Sequence, residues 1–308
     1  MTGRRLLRAL AGVIPTLLLT WTVVFGAMQM VPGDPVLLML GGTPTSEQVV
    51  VAERTRLGLD RSIFAQYVGF LGHAAIGDFG TSFRTRQPVL RMIASQLPYT
   101  LQLAAGGLVV GIVLGTLFGV AAGVWPNGWV DAVCMTAALL GVSLPAFWIG
   151  MLLIQVFATS LGWLPVLGTG LDALIMPSIS LGLFLAGGLA RLIRSSIIEV
   201  MAQDYIRTAR AKGLSPFLVV AKHAFRNAVI PPLTLLGVQF ALLIGGAVVT
   251  ETVFARPGIG YLLVEAVLEK DFPLVQGIVI VTTGAFVLVN LAVDIAYGFI
   301  DPRIAHAG

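Results

Sequence analysis

Six stretches of this chain, at about 9–31, 99–125, 131–159, 173–194, 229–252 and 274–299, are long, apolar and poor in charge. Crossing a hydrocarbon core about 30 Å thick takes about 20 apolar residues in a helix, and each stretch reaches that length. A water-soluble fold would need more polar surface than the sequence supplies: 57% of the 308 residues are hydrophobic and 11% charged, against about 25% charged in soluble proteins. The expected fold is therefore all-α and integral to a membrane, with six transmembrane helices.

The placement of charge orients those helices. Lys and Arg concentrate on the cytoplasmic side of membrane proteins, so the pI near 9.6 reports topology rather than a nucleic-acid partner. Arg4, Arg5 and Arg8 precede the first span with no acid beside them, and seven of the 19 basic residues fall between Arg191 and Arg226 against two acids, Glu199 and Asp204. An even number of crossings separates these two basic segments. Both are expected in the cytoplasm, together with the C-terminal DPRIAHAG.

The organisation that follows is a first helix at 1–31, an extracytoplasmic segment at 32–98, and a five-helix core at 99–308 that contains the basic segment 191–228. Segment 32–98 carries six arginines on the outer side, which a segment longer than about 60 residues can do. The first span is expected to stay uncleaved, because it is longer than a signal h-region and lacks an A-x-A-like site. Cys134 is alone, so no intrachain disulfide or thiol cluster is available. In GGLVVGIVLGTLFGVAAG (106–123) small residues recur three or four apart, the pattern that lets helices approach closely in lipid. Pro145 and Pro177 lie inside expected spans, where they are expected to bend helices.

The basic segment reads DYIRTARAKGLSPFLVVAKHAFRNAVIPP from Asp204. Asp204 is expected to cap a helix starting at Tyr205. Gly213 supplies a left-handed terminator, with Arg210 and Lys212 in the last turn where the helix dipole favours cations. Ser215-Pro216 has the form of a new helix start, and Phe217, Val220, Ala221, Ala224 and Phe225 then mark one apolar face. Two short amphipathic helices joined at Gly213 suit a DNA-binding pair, an interfacial pair on anionic lipid, or a docking element for a cytoplasmic protein. The first is disfavoured, because the second helix runs straight into Pro231-Pro232 and the fifth span.

This segment resembles the coupling signature of ABC-importer permeases, in which E-A-A is followed after three residues by Gly and, nine residues later, by I-x-L-P. Arg207-Thr208-Ala209 stands in the E-A-A place, Gly213 is the glycine, and His223-Ala224-Phe225-Arg226 occupies the place of I-x-L-P; Ala209 and Gly213 match literally. Similarity to the dipeptide/oligopeptide/nickel permeases extends further, through VPGDP (31–35), LGLDRSIFAQY (57–67), GDFGTSFRTRQPV (77–89), ETVFARPGIGYLL (251–263), DFPLVQG (271–277) and NLAVDIAYGFIDPR (290–303). That resemblance implies a non-catalytic transmembrane subunit importing di- or oligopeptides, or else nickel complexes or glutathione-like compounds. Its implied partners are a second homologous permease, two ATPase subunits or domains holding ATP and Mg, an extracytoplasmic substrate-binding protein and membrane lipid. The implied ATPase contact comprises Arg207, Ala209, Arg210, Lys212, Gly213, Leu214 and Ser215.

The chain offers little chemistry of its own. It has no G-x-x-x-x-G-K-[ST] phosphate loop, no Cys/His cluster with metal-ligand spacing, and His73, His223 and His306 all lie outside the spans. No cofactor is expected on this chain. An ion-coupled secondary transporter is the alternative from another class, and it would need ionisable residues near the midplane; Asp294, in register with Asn290, is the acid available for that. Polar residues inside apolar spans, Gln102, Ser143, Gln155, Ser180 and Gln239, are candidates for a pathway or for interhelical hydrogen bonds. Glu251, near the outer end of the fifth span, is a candidate for the outer mouth.

Overall fold

Small residues on one helix facing large ones on another decide how these helices pair. The computed structural model describes residues 3–30, 36–37 and 46–300, leaving aside the side chains of 3–11, 230, 233–235, 238, 241, 246 and 293–300. The Asp294 side chain and the VPGDP and C-terminal DPRIAHAG stretches therefore lie outside the described residues. The helices that carry the argument, in chain order, are α1 Gly3–Met30, α2 Glu47–Arg56, α3 Ile63–Ala75, α4 Val89–Val124 and α5 Trp129–Ser143. Next come α6, made of Ala146–Leu153 and a π-helical turn Ile154–Ser160, and α7 Leu171–Met201. They are followed by α8 Asp204–Ala211, and by α9, in which Pro216–Leu218, a π-helical stretch Val219–Ala224 and Phe225–Ala228 run on without a gap. The last three are α10 Ile230–Val253, α11 Ile259–Leu268 and α12 Phe272–Ile300. The chain forms two compact units, Tyr99–Pro257 and Met1–Pro98 with Gly258–Gly308.

Within Tyr99–Pro257, α4 presents Gly107, Gly111, Gly115, Gly119 and Gly123 to Leu181, Leu185, Leu189, Ile193 and Ile197 of α7. A β-carbon on Gly111 would stand 2.6 Å from Leu185, and one on Gly119 would stand 2.7 Å from the Ala190 carbonyl oxygen. Both rows step by four residues in the same direction, so α4 and α7 run parallel and in register. Residues three and four apart share a helix face, which is why the glycine pattern became a single contact seam. Helix α5 packs against α7 in the opposite sense, with Gly187 against Ala138 and Val142, and Gly141 against Leu183. Helix α7 lies between them, and two thirds of its apolar window is buried.

Parallel α4 and α7 require the chain between them to return across the bundle, and α5 and α6 make that return. They are not one straight rod, as the sequence stretch 131–159 suggests. The pair is bent by 105° between Ser143 and Ala146. Pro145 lacks an N–H and drives the preceding residue out of the helical region, and Leu144 is extended accordingly, with ψ 133. Pro177, by contrast, stays inside α7. Among the described residues four helices are long and apolar enough to span a membrane, or five if the bent pair counts as one. The expected fifth stretch coincides with the 24-residue α10.

In the other unit, α1 packs against α12 and α3. Thr22 and Tyr67 share a hydrogen bond of 2.7 Å, and the Phe25 ring leans on Tyr67 and Phe70. The core joins Val89 and Ile93 at the start of α4 to Ile259, Ala266, Leu274, Val275 and Ile278. Asp271, 2% exposed, caps α12 and also reaches residues far back in sequence. Its carboxylate accepts from the Ser82 hydroxyl at 2.5 Å, from the Phe83 N–H at 3.1 Å and from the Leu274 N–H at 3.4 Å. Helix α4 begins at Val89, ten residues ahead of the expected span start at 99: the Pro88 carbonyl accepts from the Met92 N–H at 3.2 Å, and Arg91 kept that turn out of the apolar stretch.

Candidate functional site

The segment 204–228 is built on the C-terminal end of α7. Ile206 and Ala209 of α8, with Val219, Ala224 and Ala228 of α9, bury themselves against Leu189, Ile193 and Ile197. Val120 and Val124 of α4 and Leu214 pack around the same cluster. Gly213 has φ +77, the left-handed turn its position requires. The Ser215 hydroxyl accepts from the Leu218 N–H at 3.4 Å, with Pro216 at the first helical position. The two arms are also tied side to side, because Asn227 Nδ2 donates to the Tyr205 hydroxyl at 2.7 Å.

Two expectations change here. Helix α8 starts at Asp204, one residue early, and Gln203 is its N-cap with no side-chain bond. Asp204 stands in the first turn, where its charge still favours the dipole, and pairs loosely with Arg207 at 3.5 Å. The apolar face of α9 also differs from the one a regular helix would give. The π-helical stretch places Val219 and Ala224, five residues apart, on the same side, and it leaves Phe217 80% and Leu218 42% exposed. Of the residues implied at an ATPase contact, Arg207, Arg210, Lys212, Gly213 and Ser215 are exposed, Leu214 is half-buried, and Ala209 faces the cluster with 6% exposure.

The candidate pathway residues are not gathered in one place. Ser180 is buried and donates to the Ala146 carbonyl at 2.5 Å, which ties α7 to the start of α6. Ser143 is exposed beside the bend, Gln155 is exposed on the π-helical turn, and Gln239 is half-buried on α10. Gln102 is exposed on α4 and accepts from Arg256 Nη2 at 3.3 Å. Glu251 is fully buried and accepts from the Thr100 hydroxyl at 2.6 Å.

Sequence reasoning missed the polar knot around Glu251. Arg256, which follows the fifth span and was not singled out, is 2% exposed, and its Nη1 donates to the Gly168 carbonyl at 3.4 Å. Burial lowers the Arg256 pKa from its ordinary value, and the nearby Glu251 charge opposes that shift. The available signal was the run Glu251 to Arg256 itself, two opposite charges five residues apart at a helix end.

Apolar helices carrying a paired-helix turn packed back onto their own bundle are the arrangement that the resemblance to ABC-importer permeases leads one to expect. The chain belongs to the family described as binding-protein-dependent transport system inner membrane component, whose model matches residues 111–306; the model of that family's N-terminal part matches residues 2–104. It is an importer permease of the dipeptide/oligopeptide/nickel type. The glutathione transport system permease protein GsiC of Salmonella choleraesuis (strain SC-B67) is 44% identical over 97% of this chain and 98% of its own length. GsiC of Escherichia coli (strain K12) is 43% identical over the same shares. The fold is also similar to that of the MetNI methionine ABC transporter in its inward facing conformations, with a TM-score of 0.54 at 17% identity over 69% of this chain and 96% of that one. An amino acid ABC transporter crystallised with histidines gives 0.51 at 16% identity, over 67% and 92% of the two chains. Family membership answers the alternative of an ion-coupled secondary transporter.

Proposed function

We propose that this permease forms one half of an import pathway for short peptides, with peptides of the size and charge of glutathione among its substrates. The other half is a second homologous permease. Two ATPase subunits hold ATP and Mg and perform the hydrolysis, an extracytoplasmic binding protein delivers substrate, and this chain is non-catalytic. Both termini face the cytoplasm, as does the 204–228 segment, which seats on an ATPase subunit. The observation that carries the coupling role is the exposed tip formed by Lys212, Gly213, Phe217 and Leu218, standing on the buried cluster of Ile206, Ala209, Val219, Ala224 and Ala228. A rigid base with an apolar, basic tip transmits a push, whereas a flexible loop would absorb it. The relatives named for glutathione transport support the substrate class.

In this reading Gln102, Ser143, Gln155 and Gln239 line the pathway, Ser180 serves packing through its bond to Ala146, and Glu251 belongs to the wall of the outer mouth. The segment 32–98 receives the binding protein. The test is uptake by the complete complex in vesicles supplied with ATP. Labelled glutathione and a dipeptide should both accumulate, and each should compete with the other. Accumulation of a nickel complex with neither peptide entering would overturn the substrate class. Gly213→Pro should leave the complex assembled while uptake per ATP hydrolysed falls at least about tenfold, within the usual range of coupling energies; an unchanged ratio would remove the coupling role.

A further inference from the structure

We infer that Asp131 and Arg194 form a positioning pair that carries movement of the 204–228 segment into the bent span α5–α6. The inference rests on the coupling role proposed for that segment. Arg194 Nε donates to Asp131 Oδ1 and Nη2 to Oδ2, each at 2.6 Å, and the Asn127 N–H adds a third bond to Oδ2 at 2.8 Å. The Asp131 side chain is 8% exposed and that of Arg194 28%. A two-pronged guanidinium–carboxylate pair fixes both distance and angle. The neighbouring contacts between α5 and α7, Gly141 with Leu183 and Gly187 with Ala138, set how closely the helices approach but carry no directional bond, whereas the fork also fixes their relative angle.

The location of the pair gives it a mechanical task. Arg194 lies between Ile193 and Ile197 on α7, and both of those residues are buried in the cluster that supports α8 and α9. Asp131 lies in the first turn of α5, which runs 15 residues to the break before Pro145. A push on the 204–228 segment therefore reaches the end of α7 through apolar packing and passes to α5 through the charged fork. The 105° bend lets α5 turn without dragging the whole of α6. Ser143, at the bend, is one of the residues proposed to line the pathway. Without the fork, α7 moves and α5 slips.

The test compares the complete complex carrying Asp131→Asn, Asp131→Glu, the double variant Asp131→Asn with Arg194→Gln, and Gly213→Pro, reading uptake per ATP hydrolysed for equal amounts of assembled complex. The double variant leaves no unpaired charge, so it keeps the test open where the single change impairs assembly. Asp131→Asn and the double variant should lower the ratio by about five- to tenfold, a typical coupling effect, with ATPase activity retained. Asp131→Glu, which keeps the charge, should stay within about twofold of wild type. If the double variant assembles and keeps the wild-type ratio while Gly213→Pro loses it, the positioning role is overturned and the coupling segment stands. If both keep the ratio, the coupling reading falls and the positioning role with it. A loss in Asp131→Glu equal to that in the double variant would show that a retained two-pronged charge pair does not carry the coupling, and would also overturn the inference.

Discussion

At the scale of single residues, glycines in the same bundle have opposite worth. Gly119 faces the Ala190 carbonyl oxygen and Ile193 Cβ, each 2.7 Å from where a β-carbon would sit, and backbone cannot move aside as a flexible side chain can. Gly188, on the opposing helix α7, has nothing within 4 Å of the same position. Gly119→Ala should therefore destabilise the protein by about 1–3 kcal/mol through overpacking. Gly188→Ala should be neutral, or stabilising by up to about 1 kcal/mol through helix propensity. Thermal unfolding of the two variants in lipid nanodiscs checks this, and equal midpoints would mean that the α4–α7 seam tolerates separation. The glycine pattern was legible in the sequence as close packing. Its partner row was not, since nothing in GGLVVGIVLGTLFGVAAG says which of several apolar helices supplies the facing leucines.

At the scale of the element, the helices and turn of 204–228 follow the expectation where local chemistry decides and depart from it where the backbone leaves a regular helix. Gly213 and Ser215-Pro216 act through their own torsions and short-range bonds, so their roles follow from residue type. The face of α9 depends on the period, and the π-helical stretch changes the period from near four residues to near five. That makes an unusual outcome testable. Removing exposed Ala221 should convert Val219–Ala224 to an ordinary turn and keep Val219, Ala224 and Ala228 facing α7 at spacings of four. The complex should assemble within about twofold of wild-type levels, with the tip displaced by about the 1.5 Å rise of one residue. Inserting an alanine after Ala221 should rotate Ala224 and Ala228 by about 100° off the cluster and abolish assembly, as read by recovery of intact complex from membranes. Assembly with the insertion and loss with the deletion would refute the register argument.

For the whole molecule, the sequence suggests a division at 1–31, 32–98 and 99–308, and the compact unit Met1–Pro98 takes in Gly258–Gly308 as well. The pairing of Ser82 and Phe83 with Asp271, about 190 residues later, has no local signature. That pairing dictates how the role proposed for 32–98 can be tested. Removing all of 32–98 would delete Val89 and Ile93 from the core and strip the buried Asp271 carboxylate of two of its donors, the loss of a hydrogen-bonded charge site that costs several kcal/mol. Such a chain fails for structural reasons and says nothing about delivery. Replacing only 47–75 with a flexible linker removes α2 and α3 and leaves Ser82, Phe83, Val89, Ile93 and Asp271 in place. If this segment receives the binding protein, the trimmed permease should assemble with its partners and retain basal ATPase activity. Stimulation by the substrate-loaded binding protein and uptake should both be lost. Uptake at the wild-type rate in the same vesicles would assign the receiving surface elsewhere on the outer side.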